Sequence, residues 1–179
     1  MGEARDKLSV MIRPLTLHGD AILRKRALPV QELTAGIHRL IDDMIETMYA
    51  APGIGLAAPQ VGVGLRVFVM DVSSGRSSGD LHVMINPKMI IHEGVQSFEE
   101  GCLSVPNFQA TVPRPKRAIV RGLNREGKSY EIEGTGLSAR ALQHELDHLD
   151  GNLFLDRLRG VKKELILRRI TKLKRTGQW

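Results

Sequence analysis

Gln143-His144-Glu145-Leu146-Asp147-His148 is the stretch on which the reading of this chain turns. Residues four apart lie one above the other on an α-helix, so His144 and His148 would present two imidazoles to one point in space. That is the spacing of two ligands on a single metal ion, with Glu145 beside them as candidate general base. The flanks suit a helix. Leu137, Ala141, Leu142, Leu146 and Leu149 supply its apolar positions, Ser138 and Ala139 fit its first turn, and Gly151 is placed to cap its end. Read without the metal, the same residues are solvated charges on an ordinary amphipathic helix. A catalytic site needs a third protein ligand and one open position, so the rest of the chain must supply the third.

With 179 residues the chain is expected to form one domain, residues 1–179, large enough for a real core. A single cysteine excludes an internal disulfide, fits a reducing compartment and leaves one thiol as candidate ligand or nucleophile. The charged start, Met1 to Val10, lacks the apolar run of a signal peptide, and no stretch is apolar enough to span a bilayer. The expected location is therefore the cytoplasm, an organelle being the alternative. The net charge of +6 is weighted toward the C-terminus, which favours an anionic partner there.

Along the chain, Asp20 can cap a short helix from Ala21 to Lys25. Ile37, Leu40, Ile41, Met44, Ile45 and Met48 form a full apolar stripe, predicting a packing helix over Thr34 to Tyr49. Gly53 to Gly62, rich in small residues, reads either as a loop or as backbone brought close to a ligand. Strands are predicted at Arg66–Asp71, Val83–Asn86, Met89–His92, Val95–Glu99, Ala110–Val112, Ala118–Leu123 and Lys128–Glu133, the last two joined by a turn at Asn124 to Gly127. His18, His38, His82 and His92 are expected at the surface. Over 160–176 a basic helix is predicted, with Leu165, Ile166, Ile170 and Leu173 as its apolar stripe. It reads as a solvated surface helix or as an arm for ribosomal RNA.

Two residues compete to be the third ligand. Glu164 lies sixteen residues past His148, but Lys162 and Lys163 beside it favour a surface ion pair. Cys102, in Glu99-Glu100-Gly101-Cys102-Leu103-Ser104-Val105-Pro106, would complete a Cys-His-His set as thiolate, with Gly101 before it and a strand break expected at Pro106. Taken alone, the residues admit a metallopeptidase using Glu164, or a ribosome- or RNA-binding module with a vestigial metal site. A third possibility comes from three stretches together. Gly53-Ile54-Gly55-Leu56-Ala57-Ala58-Pro59-Gln60, Glu100-Gly101-Cys102-Leu103-Ser104 and the stretch from Gln143 to His148 follow the order and approximate spacing of the peptide deformylases, and the chain resembles that family over most of its length.

The resemblance implies an α+β fold with mixed and antiparallel strands around a central metal-binding helix, a long N-terminal helix and a basic C-terminal helix. It implies a hydrolase that removes the formyl group from the N-terminal formyl-methionine of new polypeptides. By the same likeness, Cys102, His144 and His148 hold one divalent metal, iron(II) as the working ion with zinc, nickel or cobalt as substitutes. Glu145 becomes the general base and acid, and Gln60 with the Leu103 backbone N–H receives the oxyanion. Substrate backbone would run along Ile54-Gly55 past Gly101, with the methionine side chain among Ile54, Phe98, Leu137, Ala141 and the stem of Arg140. Glu100 and Arg114 match a bracing ion pair. Ala51-Pro52 and Gln109 depart from the charged residues many members carry near the second and third substrate side chains. Implied partners are formyl-methionyl nascent peptides and, through the C-terminal helix, the ribosome near its exit tunnel, with neither DNA nor membrane.

Overall fold

A computed structural model describes residues 10–77 and 79–179, so the charged start before Val10 lies outside it. Its longest N-terminal element is α1, Ala35–Ala50, started by Thr34, whose side chain accepts from the Ile37 amide. Seven strands follow: β1 (Gly55–Ala57), β2 (Val67–Met70), β3 (His82–Glu93), β4 (Gln96–Cys102), β5 (Val105–Arg114), β6 (Arg117–Leu123) and β7 (Ser129–Thr135). Helices α2, Gly136–Leu149, and α3, Val161–Arg175, complete the chain. Asp20 does cap a short turn, but of the tighter 3₁₀ type over Ala21–Arg24.

The strands form a five-stranded sheet in the order β1-β2-β3-β6-β7 and a separate hairpin of β4 with β5. All pairings between these strands are antiparallel. The expected mixture shrinks to one isolated parallel bridge, Leu28 with Leu65. β1 lies at the sheet's edge, paired only with β2 through Leu56 and Val69.

The sheet is covered on both faces. Phe68 and Met70 of β2 meet Leu142, Leu146 and Leu149 of α2, while Val67 and Val69 meet Leu40, Ile41, Met44 and Met48 of α1. Alternate side chains leave a strand on opposite faces, and helices on both sides explain why β2 is apolar throughout. A third cluster joins β5, through Val105, Phe108, Ala110 and Val112, to Leu153-Phe154-Leu155 and Ile170 of α3.

Five expectations are corrected. Gly53 to Gly62 is no plain loop: β1 and a 3₁₀ turn, Ala58–Val61, occupy most of it. The two strands expected at 83–86 and 89–92 are one, β3, whose register against β6 shifts twice; Asn86 sits at the first shift with φ 52°. The strand break expected at Pro106 is absent, because β5 runs through it. On α3, Leu165 is exposed and Leu167 packs with Ile166 and Leu173 around the buried Ile170. Of the histidines expected at the surface, His92 is exposed, whereas His18, His38 and His82 are half-buried, His18 with Nδ1 enclosed and unpartnered.

Candidate metal centre and active site

α2 carries its two histidines into the interior because its opposite face is fixed to the sheet by Leu142, Leu146 and Leu149. His144 Nε2 and His148 Nε2 face each other at 3.1 Å. The tight β4–β5 turn, in which Cys102 pairs with Val105, brings Cys102 Sγ to 3.3 Å from His148 Nε2. The three donor atoms lie within 4.8 Å of one another. Ligands 2.0–2.3 Å from a tetrahedral ion stand about 3.3–3.6 Å apart, so the cluster has the size and donor set of a metal site.

The surroundings fit that use. His144 Nδ1 meets Glu100 Oε1 at 2.6 Å, the carboxylate partner that orients a ligating imidazole. Glu100 is held in turn by Arg114 Nε at 2.7 Å and Nη2 at 2.5 Å, and by Arg140 Nη2 at 3.1 Å. Burial works against charge on both imidazoles. Hydrogen bonds with Cys102 and Glu100 nevertheless hold His144 well above its ordinary pKa, whereas His148, buried beside that charge, falls well below. A metal bound here would need both imidazoles neutral at the ligating nitrogens.

Glu145 follows His144 but points to the other side of the cluster, beneath β1. A Cβ built on Gly55 would stand 2.3 Å from Glu145 Oε1, so only glycine leaves room for this carboxylate. Glu145 Oε2 is buried with no hydrogen-bond partner. Burial pushes its pKa up to about 7, against the pull of the His144 charge. Gln60, buried in the 3₁₀ turn after β1, accepts from the Ala57 amide at 2.9 Å through Oε1. That bond fixes the amide so that Nε2 faces Cys102 Sγ at 3.6 Å and Ser104 Oγ at 3.3 Å.

These groups open onto a cleft of about 720 Å³ between β1 and the β4–β5 hairpin. Gln60, Cys102, Leu103, His144 and Glu145 line it, together with Ile54, Leu137, Arg140 and Ala141. The chemistry available is a metal-assisted attack on a carbonyl, with a carboxylate poised for proton transfer and an amide N–H for charge on oxygen.

A sequence model of the polypeptide deformylase family matches residues 12–164. The peptide deformylase of Acidobacterium capsulatum is 46% identical over 170 residues, covering 95% of this chain and 100% of that protein. That of Thermodesulfovibrio yellowstonii is 53% identical over 146 residues, covering 82% and 88%. The crystal structure of a peptide deformylase from Legionella pneumophila superposes with a TM-score of 0.86 at 44% identity, covering 93% of this chain and 97% of that one. The chain belongs to the polypeptide deformylase family. Deformylases are hydrolases, and the α+β fold with antiparallel sheets and three helices is that of the solved deformylase structures.

Phe98 and Glu164, both read from the sequence as site candidates, stand apart from the deformylase cleft. Phe98 does not line it: the residue is 61% exposed, with the Arg140 guanidinium 5.7 Å from its ring centroid. Arg140 is also more than an apolar stem, since it donates to the carbonyls of Phe98 at 3.0 Å and Val112 at 3.3 Å. Glu164 is excluded from the metal cluster. It lies exposed on α3, with Arg168 at 3.8 Å, which removes the third ligand of the metallopeptidase alternative. Sequence reasoning missed Ser104, whose hydroxyl meets Gln60, and Asp147, which donates nothing to the cluster but accepts from Arg114 Nη1 at 2.9 Å. The carboxylate inside the motif was visible; its target was not.

Proposed function

We propose that this chain, acting as one domain, removes the formyl group from the formyl-methionine at the start of new polypeptides and releases formate. The observation that carries the reading is the Cys102, His144 and His148 cluster with Glu145 and Gln60 turned toward the same cleft. A divalent ion held by Cys102, His144 and His148 would supply Lewis acidity and lower the pKa of a water from 15.7 to about 7. Iron(II) is the working ion we infer, with nickel, cobalt or zinc able to occupy the same donors.

Glu145, unpartnered at Oε2 and poised near neutrality, takes the proton of the attacking water and passes one to the departing amine. Gln60 Nε2 and the Leu103 backbone N–H donate to the formyl oxygen as charge develops on it. Ile54 and Gly55 present the free edge of β1 to the substrate backbone, which joins as an added strand. Gly101 across the cleft leaves it room, and Leu137, Ala141, Ile54 and the Arg140 stem receive the methionine side chain. Phe98, outside that pocket, stacks on the Arg140 guanidinium. Arg114 and Glu100 brace the cysteine hairpin.

The cationic face of α3 is proposed to dock on the ribosome, in the cytoplasm or an organelle. Among the described residues, no helix is long and apolar enough to cross a membrane. The test of the main reading is anaerobic, iron-loaded protein incubated with formyl-Met-Ala-Ser. Stoichiometric formate with free methionyl peptide is expected, and absence of formate release would sink the assignment.

A further inference from the structure

Asp147 sits between the two metal-ligating histidines in sequence, yet its carboxylate leaves α2 on the side away from the metal cluster. It lines a second cleft, about 720 Å³, together with Arg157 and Gln143. Arg157, on the 3₁₀ turn Phe154–Arg157, grips it with two bonds, Nε to Oδ2 at 2.6 Å and Nη2 to Oδ1 at 2.7 Å. The same Oδ2 accepts from Arg114 Nη1 at 2.9 Å. Arg114 is fully buried and gives two further bonds, from Nε and Nη2, to Glu100. Glu100 ends the series at His144 Nδ1. Polar contacts thus run in an unbroken line from the second cleft to a metal ligand: Arg157, Asp147, Arg114, Glu100, His144.

We infer that Asp147, pinned by Arg157, is a positioning residue for the metal centre: it holds Arg114 so that Glu100 keeps its grip on His144. The physical reason is competition for one carboxylate. Glu100 serves Arg114, Arg140 and His144 at once. A buried guanidinium deprived of Asp147 has only Glu100 left, because burying an uncompensated charge is expensive. It then draws that carboxylate from the imidazole. Partners that orient a ligating histidine contribute about 10–100-fold to metal affinity, and the fork from Arg157 selects the Asp147 rotamer that reaches Arg114. Arg157 is 37% exposed while Asp147 is 13% exposed, so the outer end of the line can be altered without opening the core.

The inference rests on the metal-centre reading above, and the experiment separates the two. The full chain and its variants are loaded with cobalt(II). Affinity is read by competition with a chelator, and ligand geometry by the cobalt visible spectrum. Arg157→Gln is expected to weaken binding by at least about threefold and Asp147→Asn by about 10–100-fold, each with an altered spectrum. In a Glu100→Gln background, Asp147→Asn should add less than about twofold, since both act through the same imidazole. Binding by Arg157→Gln within twofold of the parent, with an unchanged spectrum, overturns the proposal; this exposed variant decides it alone if Asp147→Asn fails to fold. A parent chain that takes up no cobalt overturns the metal-centre reading itself.

Discussion

At the residue scale the chemistry reduces to room and orientation. Glu145→Gln keeps the shape but not the base, so metal content should stay near one equivalent while turnover falls by about 10²–10⁴-fold. Unchanged formate release would remove Glu145 from the mechanism. Gly55→Ala should leave the metal in place too, yet its Cβ would collide with the Glu145 carboxylate; a displacement of this kind costs about 10²-fold in rate, read as kcat at unchanged metal content. Asp71 gives a prediction for pH. Burial would raise its pKa, but hydrogen bonds from Tyr49, Ser73 and Gly75 outweigh that and hold it at about 2, below the ordinary 3.8. A depressed native pKa stabilises above the unfolded value and is lost as pH falls toward the native one. Asp71→Asn should therefore lower the urea midpoint at pH 7, and roughly half of that deficit should be gone by pH 3. The spacing of His144 and His148 was legible because one helical turn fixes it. What Glu145 touches was not, because Gly55 arrives from a strand some ninety residues earlier.

At the scale of elements, periodicity served where one face decides the burial and failed where two neighbours compete. The α1 stripe is read directly, since every member faces one sheet surface. On α3 the pattern admits Leu165 or Leu167, and only the position of Phe108 and Phe154 selects Leu167. Ile170→Ala should cost about 2–5 kcal/mol of stability by chemical denaturation, whereas Leu165→Ala should stay within about 0.5 kcal/mol. β3 was split in the sequence by Asn86-Pro87, which carry turn chemistry. The strand survives because Asn86 takes a positive φ and its side chain bonds both the amide and the carbonyl of Val30, each at 2.8 Å. Asn86→Ala is expected to destabilise by about 1–3 kcal/mol through those lost partners. β1 was hidden for another reason: three residues have no pattern of their own and become a strand only by pairing with β2.

At the scale of the whole molecule, α3 joins the metal hairpin to the C-terminus. Its apolar side shares a cluster with Val105 and Phe108 of β5, and Cys102 packs against that cluster. Deleting the helix would disturb the centre along with any docking surface. The ribosome proposal is therefore tested by reversing outward charges, Lys162→Glu with Arg168→Glu and Lys172→Glu. Co-sedimentation with ribosomes at rising salt should weaken sharply in this variant while formate release from short peptides persists. Equal sedimentation of both proteins would refute docking. The basic tail itself was plain in the sequence; its attachment beneath the cleft depended on a contact across some sixty residues.

The unpaired edge of β1 has one more implication. A substrate that joined this edge as proposed would be gripped through its main-chain amides, which all polypeptides share. Under the function proposed above, such a binding mode would make indifference an asset: one catalyst would serve many different starts and demand recognition only of the first residue and its cap.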